Sequence, residues 1–274
     1  MSRPAGAPDI LLRIAERRRE RIAAAGALQG FGDAPESTEL LGPGDNAFLA
    51  ALDARRRGRP GGEVAVIAEV KMGSPRLGSL AGKIDPVAQA RAYAANGAAC
   101  LSVVVEPDFF HGGYEILAAC REASGLPAIA KDFVVDPVQL TWAKEAGADA
   151  VLLIAALLTA EEIERYARLA RALGLVPLIE THDAGDIAKL DAADGWELVG
   201  INNRDLRTFE VDLERSIALV PYLPSGCLKV AESGIRDALD VLLLRDNGFD
   251  AFLIGETLLL APDPGGKLRE LIGG

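Results

Sequence analysis

The feature that most constrains the fold of this chain is a series of eight apolar, β-branched runs, spaced roughly 20 to 36 residues apart. They cover residues 64–70, 100–105, 128–130, 150–154, 176–179, 198–201, 228–230 and 251–254. The runs are apolar throughout, which is typical of parallel strands buried on both faces. Stretches with helical spacing separate them, and several of these end in glycine. We therefore predict an α/β fold, a closed (β/α)8 TIM barrel in preference to an open doubly wound sheet.

The residues before the first run predict an N-terminal extension. Residues 9–25 have the spacing of a helix, residues 26–44 are rich in glycine, proline and small polar residues, and a second short helix is predicted from residue 46 to about 57. The first helix carries five arginines on one face, which we interpret as a solvated face: Arg13, Arg17, Arg18, Arg19 and Arg21. The predicted domains are a helical extension with a linker at 1–62, packed on a barrel at 63–274.

Composition narrows the classes of function. The 274 residues are half hydrophobic, yet no run approaches the roughly 18 apolar residues of a membrane span, and the N-terminus has no secretion signal. We therefore expect a cytoplasmic protein with no membrane partner. A net charge of −11 argues against binding to nucleic acid. Three scattered cysteines and two isolated histidines form no disulfide or metal motif, so no metal site is predicted.

Polar side chains follow most of the predicted strands. Because barrel enzymes bind ligands at the C-terminal ends of their strands, these side chains are expected to share one mouth. They are Glu69 and Lys71, Glu106, Lys131, Glu180, Asn202 and Arg204, and Glu232 and Ser233, with Phe109, Phe110 and Phe133 beside them. The fourth run ends in Leu152, Leu153 and Ile154, which could form an apolar wall.

Lys131 is the first catalytic candidate, because an ammonium at the end of a buried strand needs a partner or a function. The alternative is a structural lysine that forms a salt bridge or extends its amine into solvent. A lysine beside a glutamate favours general acid and base catalysis, with both pKa values brought toward neutrality, and a Schiff base to a carbonyl substrate is the competing use. The phenylalanines could stack on an aromatic ring or belong to the core.

Gly234 and Gly255 follow the last two strands and each precedes a predicted short helix. Glycine lets backbone N–H groups approach a ligand, and helix N-termini favour anions. A glycine after one strand is ordinary turn chemistry, but the two together indicate a phosphate site in the final two units. The sequence thus predicts a small phosphorylated ligand.

Eight motifs, taken in order, resemble the indole-3-glycerol phosphate synthase family. They are IAEVKMGSP (67–75), FFHGG (109–113), LPAIAKDFVVDPVQ (126–139), GADAVLLIAALL (147–158), PLIETHD (177–183), VGINNRDLRTFEVDL (199–213), VAESGI (230–235) and FLIGETLL (252–259). The resemblance implies a lyase that closes the indole ring of 1-(2-carboxyphenylamino)-1-deoxyribulose 5-phosphate in tryptophan biosynthesis, losing CO2 and water. It implies no metal and no organic cofactor.

The same resemblance assigns roles to residues. Lys131 would protonate the ribulose carbonyl, and Glu180 would take part in the later proton transfers. Lys71 would hold the anthranilate carboxylate or the phosphate and would share the acid role. The remaining members of the expected site would orient the substrate and the lysines, clasp the ring or hold the phosphate. They are Glu69, Asn202, Arg204 and Glu232, then Phe110, Phe133, Leu152, Leu153 and Ser74, then Ser233, Gly234, Gly255 and Glu256.

The sequence departs from the family pattern in two loops. Arg76 and Leu77 stand where the family has Ser-Lys/Arg, and Val104-Val105 and Gly113 replace a Leu-Thr pair and a serine. These changes leave open a paralogue that acts on a substituted anthranilate adduct. A barrel that binds a phosphate ester without chemistry is the alternative from another class. Whether the protein is a monomer or a weak homodimer is left open.

Overall fold

A computed structural model describes residues 9–26, 34–36, 38–56, 64–75, 78–190, 195–205 and 210–273. Eight parallel strands form one closed barrel in chain order, and the first strand pairs with both the second and the eighth. The strands are β1 (Ala65–Val70), β2 (Cys100–Val104), β3 (Ala128–Lys131), β4 (Ala150–Ile154), β5 (Val176–Thr181), β6 (Leu198–Asn202), β7 (Leu228–Glu232) and β8 (Ala251–Ile254). The predicted barrel is confirmed.

Helices alternate with these strands, as the spacing predicts. In chain order they are α1 (Asp9–Ala24), α2 (Ala47–Ala54), α3 (Pro86–Ala95), α4 (Tyr114–Ser124), α5 (Val138–Glu145), α6 (Ala160–Ala172), α7 (Ala184–Ile187), α8 (Leu213–Leu219), α9 (Ala238–Asp246), α10 (Glu256–Leu259) and α11 (Pro264–Ile272). Side-chain caps define the N-termini of several helices. Asp85, Asp212 and Asp237 each accept hydrogen bonds from the first turn of the helix that follows, and Thr159 forms a capping box with Glu162.

The short helix α2 packs against the N-terminal ends of the strands. Its N-cap, Asn46, accepts hydrogen bonds from the first turn of α2 and donates its amide to the backbone oxygens of Asp149 (2.8 Å) and Gly174 (3.1 Å). Asp149 immediately precedes β4, and Gly174 lies two residues before β5. Phe48, Leu49 and Leu52 of α2 are buried in the core. This helix therefore covers the end of the barrel that lies opposite to the strand C-termini.

The first helix, α1, lies at the other end of the barrel, and one of its arginines corrects the sequence interpretation. Arg18 was predicted on a solvated face, but it is only 3% exposed. Its guanidinium makes two bonds to the Asp132 carboxylate, at 3.0 and 2.5 Å, and lies 5.8 Å from the ring centre of Trp142. Asp132 directly follows β3, so this ion pair attaches the extension to the strand that carries Lys131.

Several predicted segments lie wholly or partly outside the described residues. Of the predicted linker at 26–44, residues 27–33 and 37 are not described. The segment at 58–62 and the two substituted residues at 76–77 are not described either. Within the described part of the chain, all three cysteines are buried and free, and no helix is long and apolar enough to cross a membrane.

Replacement of Arg18 by Met tests the attachment of α1. Removing one partner of a buried ion pair leaves Asp132 as an uncompensated charge, so we expect the free energy of unfolding to fall by about 3–5 kcal/mol. Urea denaturation followed by circular dichroism measures this change. Arg19→Met, on the exposed face of the same helix, is the matched control and should change stability by less than about 0.5 kcal/mol. Equal effects of the two substitutions would contradict the assignment.

Candidate active site

One cavity opens at the C-terminal ends of the strands and gathers most of the expected site residues. Its floor comes from the strand ends, and its rim comes from the loops that follow them. The predicted residues that line it are Glu69, Lys71, Phe110, Lys131, Phe133, Leu152, Glu180, Asn202, Arg204, Ser233, Gly234, Gly255 and Glu256. The side chains that sequence reasoning expected to converge are therefore brought together.

Lys131 lies at the centre of the charged part of this cavity. Its Nζ is 3.3 Å from Glu180 Oε2 and 3.2 Å from Glu232 Oε2, and 20% of the side chain remains exposed to the cavity. The two carboxylates come from β5 and β7, which are two and four strands away from β3 around the barrel. Glu232 is 1% exposed and lies behind the ammonium, outside the cavity lining. Lys131 is therefore held by two ion pairs with one open side.

Lys71 forms a second ion pair at the mouth. Its Nζ donates to Glu69 Oε1 at 2.7 Å, and both residues lie on the same side of the chain because side chains alternate along a strand. Glu69 is buried, and its pKa is lowered because Lys71 and Lys131 outweigh the opposing effect of burial. Two lysines and three glutamates thus form one connected charge cluster.

The electrostatics of the cluster correct one expectation. Burial disfavours the ammonium of Lys131, but the surrounding carboxylates outweigh burial and raise its pKa. Burial also opposes ionisation of Glu180, yet Lys131 and His182 lower its pKa. The prediction that both values move toward neutrality was wrong for this pair. Glu232 does move in that direction: burial and the Glu180 charge raise its pKa, against the effect of Lys131.

Two glycines make room for two of the carboxylates. A Cβ on Gly255 would lie 2.2 Å from Glu69 Oε1, and a Cβ on Gly200 would lie 2.3 Å from Glu232 Oε1. Both distances are far below van der Waals contact. From its sequence context Gly255 was expected only to contact a ligand, whereas the absence of its side chain also leaves space for Glu69.

An apolar wall faces the charge cluster. Phe110 and Phe133 have ring centroids 5.7 Å apart, and Leu152 and Ile154 continue the surface. Leu11 of α1 also lines the cavity, so the N-terminal extension contributes to the site. The loop before Phe110 is held by Glu106, which is fully buried and accepts hydrogen bonds from three successive backbone N–H groups. The wall is suited to a flat aromatic group.

The opposite end of the cavity is formed by the loops after β7 and β8. Ser233 and Gly234 have left-handed backbone conformations (φ of 66° and 77°), and Asn203 donates to the backbone oxygens of Glu232 (2.9 Å) and Ser233 (2.7 Å). Gly255 precedes α10. Arg204 reaches this end and lies 3.3 Å from Glu256. The combination of a strained turn, a glycine and a guanidinium is suited to an anionic group.

Besides Glu232 and Glu106, three residues that were expected at the mouth are absent from the cavity lining. Leu153 is buried but absent from the lining, because Leu152 and Ile154 on either side of it face the interior and alternation directs Leu153 to the helix layer. Ser74 belongs to a two-residue strand that pairs with Gly78 in a small hairpin beside the mouth, and it is also absent from the lining. Phe109 lies in a groove beside α1.

Several residues near the site were not predicted from the sequence, among them Leu11, Asp132 and His182. Leu11 and Asp132 line the cavity, and His182 is 8% exposed with Nε2 3.2 Å from Glu180 Oε1. His182 follows Glu180 by two positions, so strand periodicity alone could have placed them on the same side. No sequence signal connects Arg18 with Asp132, which are 114 positions apart.

Comparison with known proteins identifies close relatives. A family model described as indole-3-glycerol phosphate synthase matches residues 11–271. A protein of that name from an Azoarcus species is 43% identical over 268 residues, covering 97% of this chain and 99% of the relative. Another of the same name, from Carboxydothermus hydrogenoformans, is 44% identical over 225 residues, covering 82% of this chain and 85% of the relative.

Solved structures share the fold. 3-Hexulose-6-phosphate synthase from Salmonella typhimurium superposes with a TM-score of 0.59 at 14% identity, covering 77% of this chain and 97% of that one. Thiamine phosphate pyrophosphorylase from Pyrococcus furiosus gives a TM-score of 0.56 at 18% identity, covering 76% and 93%. At these identities the similarity shows the barrel alone.

The charge cluster predicts a pH-dependent stability for Lys131→Met. The raised pKa of Lys131 means that it stabilises the wild-type fold at every pH below the ordinary lysine value. Without this ammonium, the neighbouring carboxylates should bind protons with pKa values above their unfolded ones. Stability then falls as pH rises through that window. We expect the substitution to cost at least about 1.4 kcal/mol more at pH 8 than at pH 5.

Urea denaturation at the two pH values measures this difference. Lys144→Met, at an exposed position of α5, is the control and should have the same small effect at both pH values. A Lys131→Met protein whose loss of stability is independent of pH would refute the strong coupling between the lysine and the glutamates.

Proposed function

The chain belongs to the indole-3-glycerol phosphate synthase family, and we propose that it closes the indole ring of 1-(2-carboxyphenylamino)-1-deoxyribulose 5-phosphate, with loss of CO2 and water. The observation that carries this proposal is the position of Lys131, an ammonium held by Glu180 and Glu232 with one side open to a cavity. On one side of that ammonium is an apolar wall, and on the other is an anion-binding end. An arylamine sugar phosphate has an aromatic ring at one end, a carbonyl group in the middle and a phosphate at the other end, in the same order as these parts of the cavity.

Lys131 is assigned as the general acid. As the aromatic carbon that bears the carboxylate attacks the ribulose carbonyl carbon, the new carbon–carbon bond forms and the carbonyl oxygen takes a proton from the ammonium. The carboxylates that raise the pKa of Lys131 keep it protonated at neutral pH, so the proton is present when the negative charge develops. Loss of CO2 then returns the bonding electrons to the ring.

The later steps remove water. The new hydroxyl group leaves with a proton, and a proton is taken from the adjacent carbon or nitrogen to complete the indole. Glu180 is assigned to these transfers because it is the carboxylate next to Lys131 that also lines the cavity. Glu69, Glu232 and Asn202 are assigned to hold the lysines and the sugar.

The remaining residues bind the substrate. Lys71 is assigned to hold the anthranilate carboxylate or the phosphate and to share the acid role. Phe110, Phe133 and Leu152 are assigned to the aromatic ring. The phosphate is assigned to backbone N–H groups at the other end together with Arg204, since a carboxylate at Glu256 does not attract an anion. The members of that end are Ser233, Gly234, Gly255 and Glu256.

A second candidate, the same ring closure on a substituted anthranilate adduct, is favoured by one observation. Val104 lines the cavity, and it stands where the family resemblance expects a larger leucine. The loss of one methylene group beside the ring site leaves space for a small substituent. The proposal also includes a cytoplasmic monomer or weak homodimer, which size-exclusion chromatography with light scattering would test.

A barrel that only binds a phosphate ester is disfavoured by the cost of the cluster. Burying two lysines and three glutamates together lowers the stability of the fold. Such a cluster is therefore expected where it serves chemistry. A Schiff-base aldolase needs a neutral amine, and the carboxylates around Lys131 oppose loss of its proton. Borohydride trapping of a substrate adduct would reveal that alternative chemistry.

Lys131→Ala and Glu180→Gln test the assigned roles. We expect each to lower kcat by about a hundredfold or more, because each removes a group that transfers a proton in the reaction. Fluorescence of the indole product measures turnover, and circular dichroism checks the fold. Lys144→Ala serves as the control and should retain wild-type kcat. Full activity in either cluster variant would refute its role.

A substrate panel separates the two candidate functions. Plain and ring-substituted adducts are offered to the wild-type protein, and products are identified by mass spectrometry. If the space beside Val104 is used, a methyl-substituted adduct should give a kcat/KM within about tenfold of the plain one, and Val104→Leu should lower it selectively. Binding of substrate without any indole product would overturn the proposed function itself.

A further inference from the structure

Glu180 has a cationic partner at each of its two carboxylate oxygens. Oε2 faces the ammonium of Lys131 at 3.3 Å, and Oε1 faces Nε2 of His182 at 3.2 Å. Both Glu180 and His182 are buried. The mechanism above uses Lys131 and Glu180 but gives no role to the histidine. The carboxylate is nevertheless fixed between the two side chains, so its orientation depends on both.

The other nitrogen of His182 faces a second carboxylate. Nδ1 lies 3.4 Å from Asp186 Oδ2, and Asp186 is held in turn by Lys189 Nζ (3.2 Å) and by the backbone N–H of His182 (3.1 Å). The histidine thus lies between two carboxylates. Its contacts have the distances of ion pairs, although neither nitrogen makes a well-directed hydrogen bond. A buried imidazole with an anion on each side is an arrangement that favours imidazolium.

We propose that His182 is a positioning residue for the ring-closing reaction: held as imidazolium by Asp186, it keeps Glu180 ionised and turned toward Lys131. This inference rests on the proposed function and adds a residue to it. In the described part of the chain, no group of three histidine, cysteine or acidic side chains is arranged to hold a metal ion. The contacts among Glu180, His182 and Asp186 are those of a chain of ion pairs.

The charges that face the histidine are consistent with this role. Burial opposes its protonation, but Asp186 and Glu180 together raise the pKa of His182 to about 9. Lys131 and Glu232 act on it through Glu180, and Lys189 acts through Asp186. The pKa of Glu180 is lowered in return. At neutral pH the histidine therefore supplies a positive charge that an ordinary surface histidine would largely lack.

The first test measures the titration of His182 directly. The chain has two histidines, and the other, His111, is exposed with φ of 54°. Asparagine tolerates that conformation, so His111→Asn leaves His182 as the single histidine. NMR of labelled imidazole in this protein should show a pKa near 9. Titration near the ordinary value of about 6.5 would overturn the proposal.

The second test links this titration to turnover. Asp186→Asn in the same background removes one anion, so the imidazole pKa should fall by about one unit or more. If His182 orders Glu180, the alkaline limb of the kcat profile should move to lower pH by the same amount. His182→Gln keeps a polar group without the charge, and we expect kcat at pH 7 to fall about tenfold with the acid limb shifted upward.

Asp240→Asn is the matched control. Asp240 accepts a backbone hydrogen bond from the residue four positions before it (2.8 Å), as Asp186 does, but no histidine is involved. Its pH profile should match the wild type. If Asp186→Asn lowers the imidazole pKa but leaves the pH profile of kcat unchanged, the proposed role of His182 is overturned. If that variant fails to fold, an unchanged pH profile of kcat in His182→Gln would overturn it instead. Wild-type protein without ring-closing activity would instead overturn the proposed function, whatever the NMR titration shows.

Discussion

The structure depends on a balance of charge at the C-terminal end of the barrel. An ammonium buried without a partner would be unfavourable by several kcal/mol, and so would each carboxylate beside it. Lys131 is tolerated because Glu180 and Glu232 flank it, and these glutamates are tolerated because of Lys131. Glu69 extends the same network to Lys71. No member of this set can be understood alone, since each fixes the protonation state of its neighbours.

The barrel makes this cluster possible through its geometry. Eight parallel strands end at one face, so residues far apart in sequence reach one volume. Glycines at the neighbouring strands leave space for the carboxylates where a methyl group would not fit. The shape of the site therefore depends both on its side chains and on the glycines that leave space for them. The N-terminal extension adds the remaining wall through Leu11.

Much of this arrangement could be predicted from the sequence because it follows local rules. Apolar runs of strand length predicted all eight strands, and the polar residues that follow them predicted the opening of the cavity. Leu153 was assigned wrongly, since a run apolar on both faces does not reveal which residues face inward. Arg18 was missed because a charged residue on an amphipathic helix usually faces solvent, and its partner lies 114 positions away. The direction of the pKa shift at Lys131 required the number and distances of its carboxylates, which only the assembled barrel provides.

The attachment of α1 has a consequence for how the chain is made. During synthesis on the ribosome, Arg18 is translated long before Asp132, so the first helix stays exposed to water until the first three of the eight strands have been synthesised. The arginines and glutamates on the surface of α1 keep this helix soluble before it packs on the barrel. Helix α1 thus packs in its final position only after β3 has been synthesised, and the apolar wall that Leu11 completes is open until then.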